Sequence, residues 1–551
     1  MNNILSASRL ARFFITVAGA WAVAPASLSA ATIESAVATG NLGLFGAADF
    51  RLATGRCTDC PAEKQAMWYF GDDTVAVPKA GAGGFSPRLR AQEDVREWQV
   101  RRSGREGAER PSPVWIGSPE KAAGWTLADD GASMLGRDGS ARPFALVPKI
   151  EANRSYFDAA SRSYFAGRPL ILRGRTEGGR FVARTLWPED FALDNPPAAP
   201  LGAGETLAGL VRAEDGGARA PLAARVLWQK DGGKPVALAG KPVLTFMLNG
   251  AQGDDDEAHG GHFAIATGRF GPHGEWGDWL VNNFYGLDSY SEKGIVASML
   301  PMDAYMGDLN SGQSWYRPSH MLVAVLKDER AAREYQGAIA RVFTHFYRHD
   351  FVYRHATANC AGISLETLRT LGWNIPKEGA TNRLKAVVAL PYMAIKEGSL
   401  ESGKKAYDYL SAEVTDLYPF VAFDAIGRDL LGRVTRGGAH GGLEQWLAED
   451  VEALVFVRIP QFPSSRAFGR APVASFDEYM SRVPEDREKW QVVPVPPRPF
   501  PPEMKDAAAP ADEWEPSSYA VAAYGGFFGL ASVAVVRRRK AKAGKGKGGR
   551  K

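Results

Sequence analysis

Two short stretches about a hundred residues apart carry side chains able to do acyl-transfer chemistry. The first, Asp254 to Gly268, reads DDDEAHGGHFAIATG and sets His262 directly before an apolar run. The second, Tyr353 to Trp373, reads YRHATANCAGISLETLRTLGW and carries Cys360, the only cysteine besides Cys57 and Cys60. Cys360 falls where a helix should begin, so unpaired N–H groups and the helix dipole would favour its thiolate. An imidazole beside such a thiol takes its proton and later returns one to the leaving group. A backbone N–H at the helix start would hold the oxyanion of a tetrahedral intermediate. The expectation is that Cys360 and His262 meet as nucleophile and base. Seven of the eight histidines lie between His259 and His355. His355 and Asn359, close to the cysteine in sequence, are the candidates to line a substrate pocket.

Three short motifs in order carry a family resemblance. They are Gly261-His262 before a strand, Phe284-Tyr285-Gly286 at the next strand end, and Asn359-Cys360 at a helix start. This arrangement, over about residues 240–375, resembles the N-terminal periplasmic domain of bacterial lipoprotein intramolecular transacylases. More broadly it resembles circularly permuted papain-like (NlpC/P60-type) thiol hydrolases. The resemblance implies a papain-like α+β core, a Cys–His pair and acyl-transfer chemistry on Cys360 and His262. The chain departs from the pattern in having Asn283 one place early and Ala361 after the cysteine. A one-residue shift turns a strand side chain to the other face. Both Asn283 and Tyr285 therefore stand as candidates to orient His262. The several membrane helices of the transacylases are absent, and no cofactor is called for.

A rival reading is a metal site. Asp254, Asp255, Asp256, Glu257, His259 and His262 offer oxygen and imidazole ligands. A third is a membrane-tethered binding or scaffold protein whose papain-like core does no chemistry.

The elements that position these residues follow from periodicity. Pro242–Leu248, Phe263–Thr267, Met321–Leu326 and Ala453–Ile459 read as buried strands. Glu329–Phe346 has helical spacing, with Ala332, Tyr335, Ile339, Val342 and Phe346 on one face. Ala361–Leu371 is a second helix, with Gly372 where a C-terminal cap would sit, and Leu384–Lys396 a third. Upstream, residues 32–240 read as a β-rich accessory domain, with Glu177-Gly178-Gly179 as a hairpin turn. Met67–Phe70 reads there as a strand, and the polar segment Pro87–Glu120 as a long surface loop. Cys57 and Cys60 form a C-x-x-C, expected to be a tight disulfide or a pair of thiols.

The fold expected is therefore α+β, a papain-like domain over 241–490 preceded by the β-rich domain. Residues 1–31, with Arg9, Arg12 and the apolar run Phe13–Ala24, read as a signal peptide. Residues 491–516 form a Pro-rich linker, and 517–536 are expected to span the membrane as one helix. The nine Lys and Arg of 537–551 place that tail in the cytoplasm and the body in the periplasm, anchored to the inner membrane. Without the tail and leader the chain holds 55 basic and 62 acidic residues, a net charge of −7. A nucleic-acid reading would need a basic face on this body, and nothing in the composition supplies one. The substrate expected is an amide or ester of the cell envelope: a peptidoglycan peptide, a lipoprotein or a lipid.

Overall fold

The structure is a computed structural model. It describes residues 31–505 apart from 61–63, 80–84, 103–110, 151–155, 214–220, 231, 233–235, 252–259, 288–294, 439–440, 466–470 and 483–499. The expected signal peptide, membrane segment and basic tail lie outside the described residues, as do most of the Pro-rich linker and Asp254–His259. Among the described residues no helix is long and apolar enough to cross a membrane.

The strands in chain order are β1 (Thr32–Ser35), β2 (Asn41–Leu42), β3 (Phe45–Gly46), β4 (Phe50–Thr54), β5 (Thr74–Pro78), β6 (Val114–Gly117), β7 (Glu120–Leu127), β8 (Ser133–Gly136) and β9 (Ala141–Leu146). Then come β10 (Leu170–Glu177), β11 (Arg180–Pro188), β12 (Ala223–Gln229), β13 (Pro242–Asn249), β14 (His262–Arg269), β15 (Leu280–Asn283), β16 (Ser298–Pro301), β17 (Ser319–Leu326) and β18 (Val451–Ile459). The helices used below are α1 (Lys64–Phe70), α2 (Ala91–Arg102), α3 (Ala159–Phe165), α4 (Leu207–Ala213), α5 (Met302–Gly307), α6 (Arg330–Tyr347) and α7 (Cys360–Thr370).

A ten-stranded sheet runs β12-β18-β17-β13-β14-β15-β16-β6-β5-β4. Its central strands β13, β14 and β17 are almost wholly buried along their length, which is why they read as unbroken apolar runs. Antiparallel register sets Asn249 opposite both His262 and Ser319, and Ser319 opposite Ile459. Directly opposed residues share a face, so these positions line up at one end of the sheet. The other face carries α6. Gln336 is hydrogen-bonded with Thr267, and Phe343 stacks on Phe284 with ring centres 4.1 Å apart. The expected stripe Ala332, Tyr335, Ile339, Val342 and Phe346 is fully buried.

β7 to β11 form a second sheet. β7 pairs with both β10 and β8, which closes five strands into a small barrel with β1 added at its side. α3 lies between β9 and β10, and β11 runs parallel to β9. This is OB-fold connectivity. The hairpin expected at Glu177–Gly179 joins β10 to β11, with Gly178 and Gly179 both at positive φ.

The architecture is thus mixed α+β, with three corrections to the expectation. The boundary at residue 240 is not a boundary in the large sheet, because β4, β5, β6 and β12 all belong to it. β1 with β7–β11 forms a sheet of its own, and β2 with β3 a small two-stranded one. Met67–Phe70 lies in α1 rather than a strand, burying Ala66, Met67, Tyr69 and Phe70. Within Pro87–Glu120 the chain forms α2, whose Val95, Trp98 and Asp94 are buried. Its polar composition is met by pairing: Asp94 takes Arg341 at 3.2 Å and His345 at 3.0 Å. Cys57 and Cys60 are disulfide-bonded. At the linker's edge, Phe500 stacks on His349 and packs edge-on against Trp68 of α1.

Candidate active site

His262 is the first residue of β14, and the turn that delivers it depends on Gly261. Gly261 has φ +76°, and a Cβ there would sit 2.5 Å from Pro472 Cβ and 2.8 Å from Asn249 O. Both the backbone conformation and the close approach of residue 472 call for glycine.

Asn283 ends β15 and faces the histidine. Its Oδ1 is 2.6 Å from His262 Nε2, and its Nδ2 donates to Val296 O at 2.6 Å. The second bond fixes the amide's orientation, because a carbonyl only accepts. Oδ1 must then accept from His262, so Nε2 carries the proton and Nδ1 holds the lone pair. Tyr285 does a different job. Its ring stacks on the imidazole with centres 4.4 Å apart and 25° between planes. Both candidates thus touch His262, Asn283 as hydrogen-bond partner and Tyr285 as a flat wall.

Cys360 opens α7. Asn359 caps that helix, its Oδ1 accepting from Gly362 N at 2.8 Å. Its Nδ2 donates to His355 O at 2.7 Å and Leu417 O at 2.9 Å. Asn359 therefore spends both amide protons on the framework that presents the cysteine. His355 is half-buried and stands edge-on to Tyr353, ring centres 5.2 Å apart.

The Cys360 sulfur lies near the N–H of Phe263, the Tyr353 hydroxyl and the N–H of Ala361, each of which favours its thiolate. Phe263 directly follows His262, so the thiol sits against the first peptide of the histidine's strand. Tyr353 also accepts the Cys360 N–H at 3.3 Å and lies parallel to Tyr285 at 6.3 Å. Tyr353 was not singled out from the sequence, nor were Tyr305 and Arg317. The Tyr305 hydroxyl donates to Asn249 Oδ1, and its ring centre is 6.4 Å from that of His262. No local pattern marks them; they reach the site through the ends of other elements.

Electrostatically the site rests neutral. Burial, reinforced by the positive charge of Arg317, lowers the His262 pKa to about 3. Burial also raises the Cys360 thiol, against the hydrogen bonds to its sulfur and the Arg317 charge, which favour thiolate. Burial likewise holds the Tyr353 hydroxyl protonated, well above its ordinary value. The expected helix-start thiolate is therefore not the resting form. The arrangement is a neutral thiol, a neutral imidazole with one nitrogen anchored, and a protonated phenol able to donate.

Of the alternative metal ligands, only His262 is described, and its Nε2 is engaged by Asn283. Comparison of the chain with protein families, with curated proteins and with solved structures finds no match.

Proposed function

We propose that this protein is an exported, membrane-anchored thiol hydrolase or acyltransferase acting on an amide or ester of the cell envelope, with a permuted papain-like catalytic core. Cys360 is the nucleophile and His262 the general base. Asn283 holds the Nε2–H tautomer, and Tyr285 keeps the ring from tilting. The observation that carries the reading is the Asn283 bridge between His262 and Val296 O, which leaves Nδ1 as the only basic position of the ring, on the residue that precedes Phe263.

The resting neutrality sets the order of events. Sulfur attacks the acyl carbon as its proton passes to His262 Nδ1, so charge develops only in the transition state. The oxyanion forms near Tyr353, whose hydroxyl is a donor in a buried setting where such a bond is strong. The imidazolium then protonates the departing amine or alcohol. Water, or an acceptor nucleophile, resolves the thioester. Export and anchoring rest on residues 1–31, 517–536 and the basic tail. The peptide, lipoprotein and lipid substrates share the acyl group and are not ranked.

The test is to incubate the purified protein with amide and ester acyl donors and seek an acyl adduct on Cys360 by mass spectrometry. The reading expects an adduct with at least one donor, absent in His262→Ala. A second reading, a binding protein with an inert core, is favoured by the thiol's 4% exposure. It expects no adduct, and unchanged ligand binding in Cys360→Ala.

A further inference from the structure

The loop joining β14 to β15 closes over one side of the barrel and leaves a cleft of about 470 Å³, within the range of small-molecule sites. Arg269, the last residue of β14, is on its wall, whereas His262 is the first. Seven strand steps separate them, about 23 Å. The cleft is therefore a separate place from the thiol.

Trp187, Phe191 and Trp276 form its aromatic wall. Trp276 stands edge-to-face on Trp187 at 4.8 Å, and Phe191 does the same at 5.3 Å. Trp276 is 1% exposed, and its indole N–H has no acceptor among the described residues. A donor held from water in this way is costly, and an oxygen in the cleft would satisfy it. The three Lys and Arg side chains of the wall are each ion-paired. Lys121 is 2.8 Å from Asp278, Arg137 pairs with Glu189, and Arg269 with Glu329. Beneath them Arg173 bridges Asp278 and Asp303. An anionic ligand would have to break one of these pairs. A neutral ligand rich in hydroxyls would not. It would use the carboxylates' remaining lone pairs, give the Trp276 N–H an oxygen, and lay C–H groups on the aromatic wall.

We propose that this cleft binds a neutral saccharide, one or two sugar rings of a glycan chain. It would anchor a glycan-bearing substrate or surface at the opposite end of β14 from His262, about 23 Å along the strand. The inference does not depend on the thiol chemistry.

The test is calorimetric and tryptophan-fluorescence titration of the full-length protein with tri-N-acetylglucosamine and with maltotriose. Glutarate serves as an anionic control. Saturable binding of at least one trisaccharide and none of glutarate is expected. Trp276→Phe, which keeps a ring but removes the N–H, should weaken binding about fivefold to tenfold. Asn41→Ala on the exposed rim should weaken it without altering the melting curve, and Cys360→Ser should leave it unchanged. The proposal is overturned if neither trisaccharide saturates at millimolar concentration. Equal binding by Asn41→Ala and the parent also overturns it, as does binding lost in Cys360→Ser.

Discussion

Acidification should destabilise this fold well before its carboxylates titrate, because two buried histidines refuse protons. Burial, with a nearby arginine in each case, holds His262 and His320 at about 3, against 6.5 for the free side chain. Their rings are 1% and 2% exposed. Between pH 6.5 and 3 the unfolded chain takes up protons that the folded chain does not. Their contribution is thus fully present above pH 6.5 and lost as pH falls through that window. Each pKa unit corresponds to about 1.4 kcal/mol. From pH 6.5 to 4.5 each site should shed about 2 kcal/mol, and the pair about 4. His349, held by burial and Lys505 at about 4, acts in the same direction. His345 acts in the other. Burial would lower its pKa, but hydrogen bonds and charge from Asp350 and Asp94 outweigh that and raise it. Its stabilisation is present below pH 6.5 and lost as pH rises through its folded value. Stability should therefore peak near pH 6.5. Urea unfolding followed by tryptophan fluorescence at pH 6.5, 5.5 and 4.5 measures the slope. His320→Leu should remove close to half of the two-site loss and leave the pH 6.5 end little affected by titration. An unchanged slope in His320→Leu would mean that the His320 ring is charged in the fold. A flat profile in the parent would mean that both rings are, and His262 would then be no general base.

Other expectations concern single positions. Gly261→Ala should cost about 3 kcal/mol in urea unfolding, from its positive φ and the contact with Pro472, and should slow Cys360 labelling by displacing His262. Asn359→Ala should lower stability by about 2–3 kcal/mol, since it removes the helix cap and the partner of two carbonyls; an unchanged melting temperature would contradict the framework role. Asn283→Ala should reduce Cys360 acylation at least tenfold while leaving Tyr285 stacked, because Nε2 loses the partner that fixes its tautomer. Full acylation by that variant would assign orientation of the ring to Tyr285 alone.

The elements that hold the site were legible because each buries one continuous face. β13, β14, β17 and β18 are buried almost end to end around apolar runs, and α6 carries its core stripe at helical spacing. Asn359 was expected to line a substrate pocket, whereas its side chain caps the helix that Cys360 opens. What escaped depends on long-range pairing. β6 meets β16 through Val114 and Met299, residues far apart in sequence, so residues 50–117 looked like part of a separate domain. α2 buries few apolar side chains and neutralises Asp94 with residues of α6, a partnership invisible from either segment alone. α1 was hidden by the aromatic run Trp68-Tyr69-Phe70, which reads locally as a strand. Tyr353 stood inside the stretch that drew attention, yet only the fold brings its hydroxyl to the sulfur. The resting charge state was also misread, because a helix start favours thiolate while burial opposes it, and burial wins.

The most direct test of the Cys360–His262 pair is the pH–rate profile of Cys360 labelling by iodoacetamide in the full-length protein and in His262→Ala. A neutral base already in place from pH 4 upward should give a rate nearly independent of pH between 5 and 8. His262→Ala should lose that plateau by about a hundredfold, the usual size of a general-base contribution. A rate rising tenfold per pH unit across the range, and identical in His262→Ala, would make Cys360 a buried structural thiol and contradict the account.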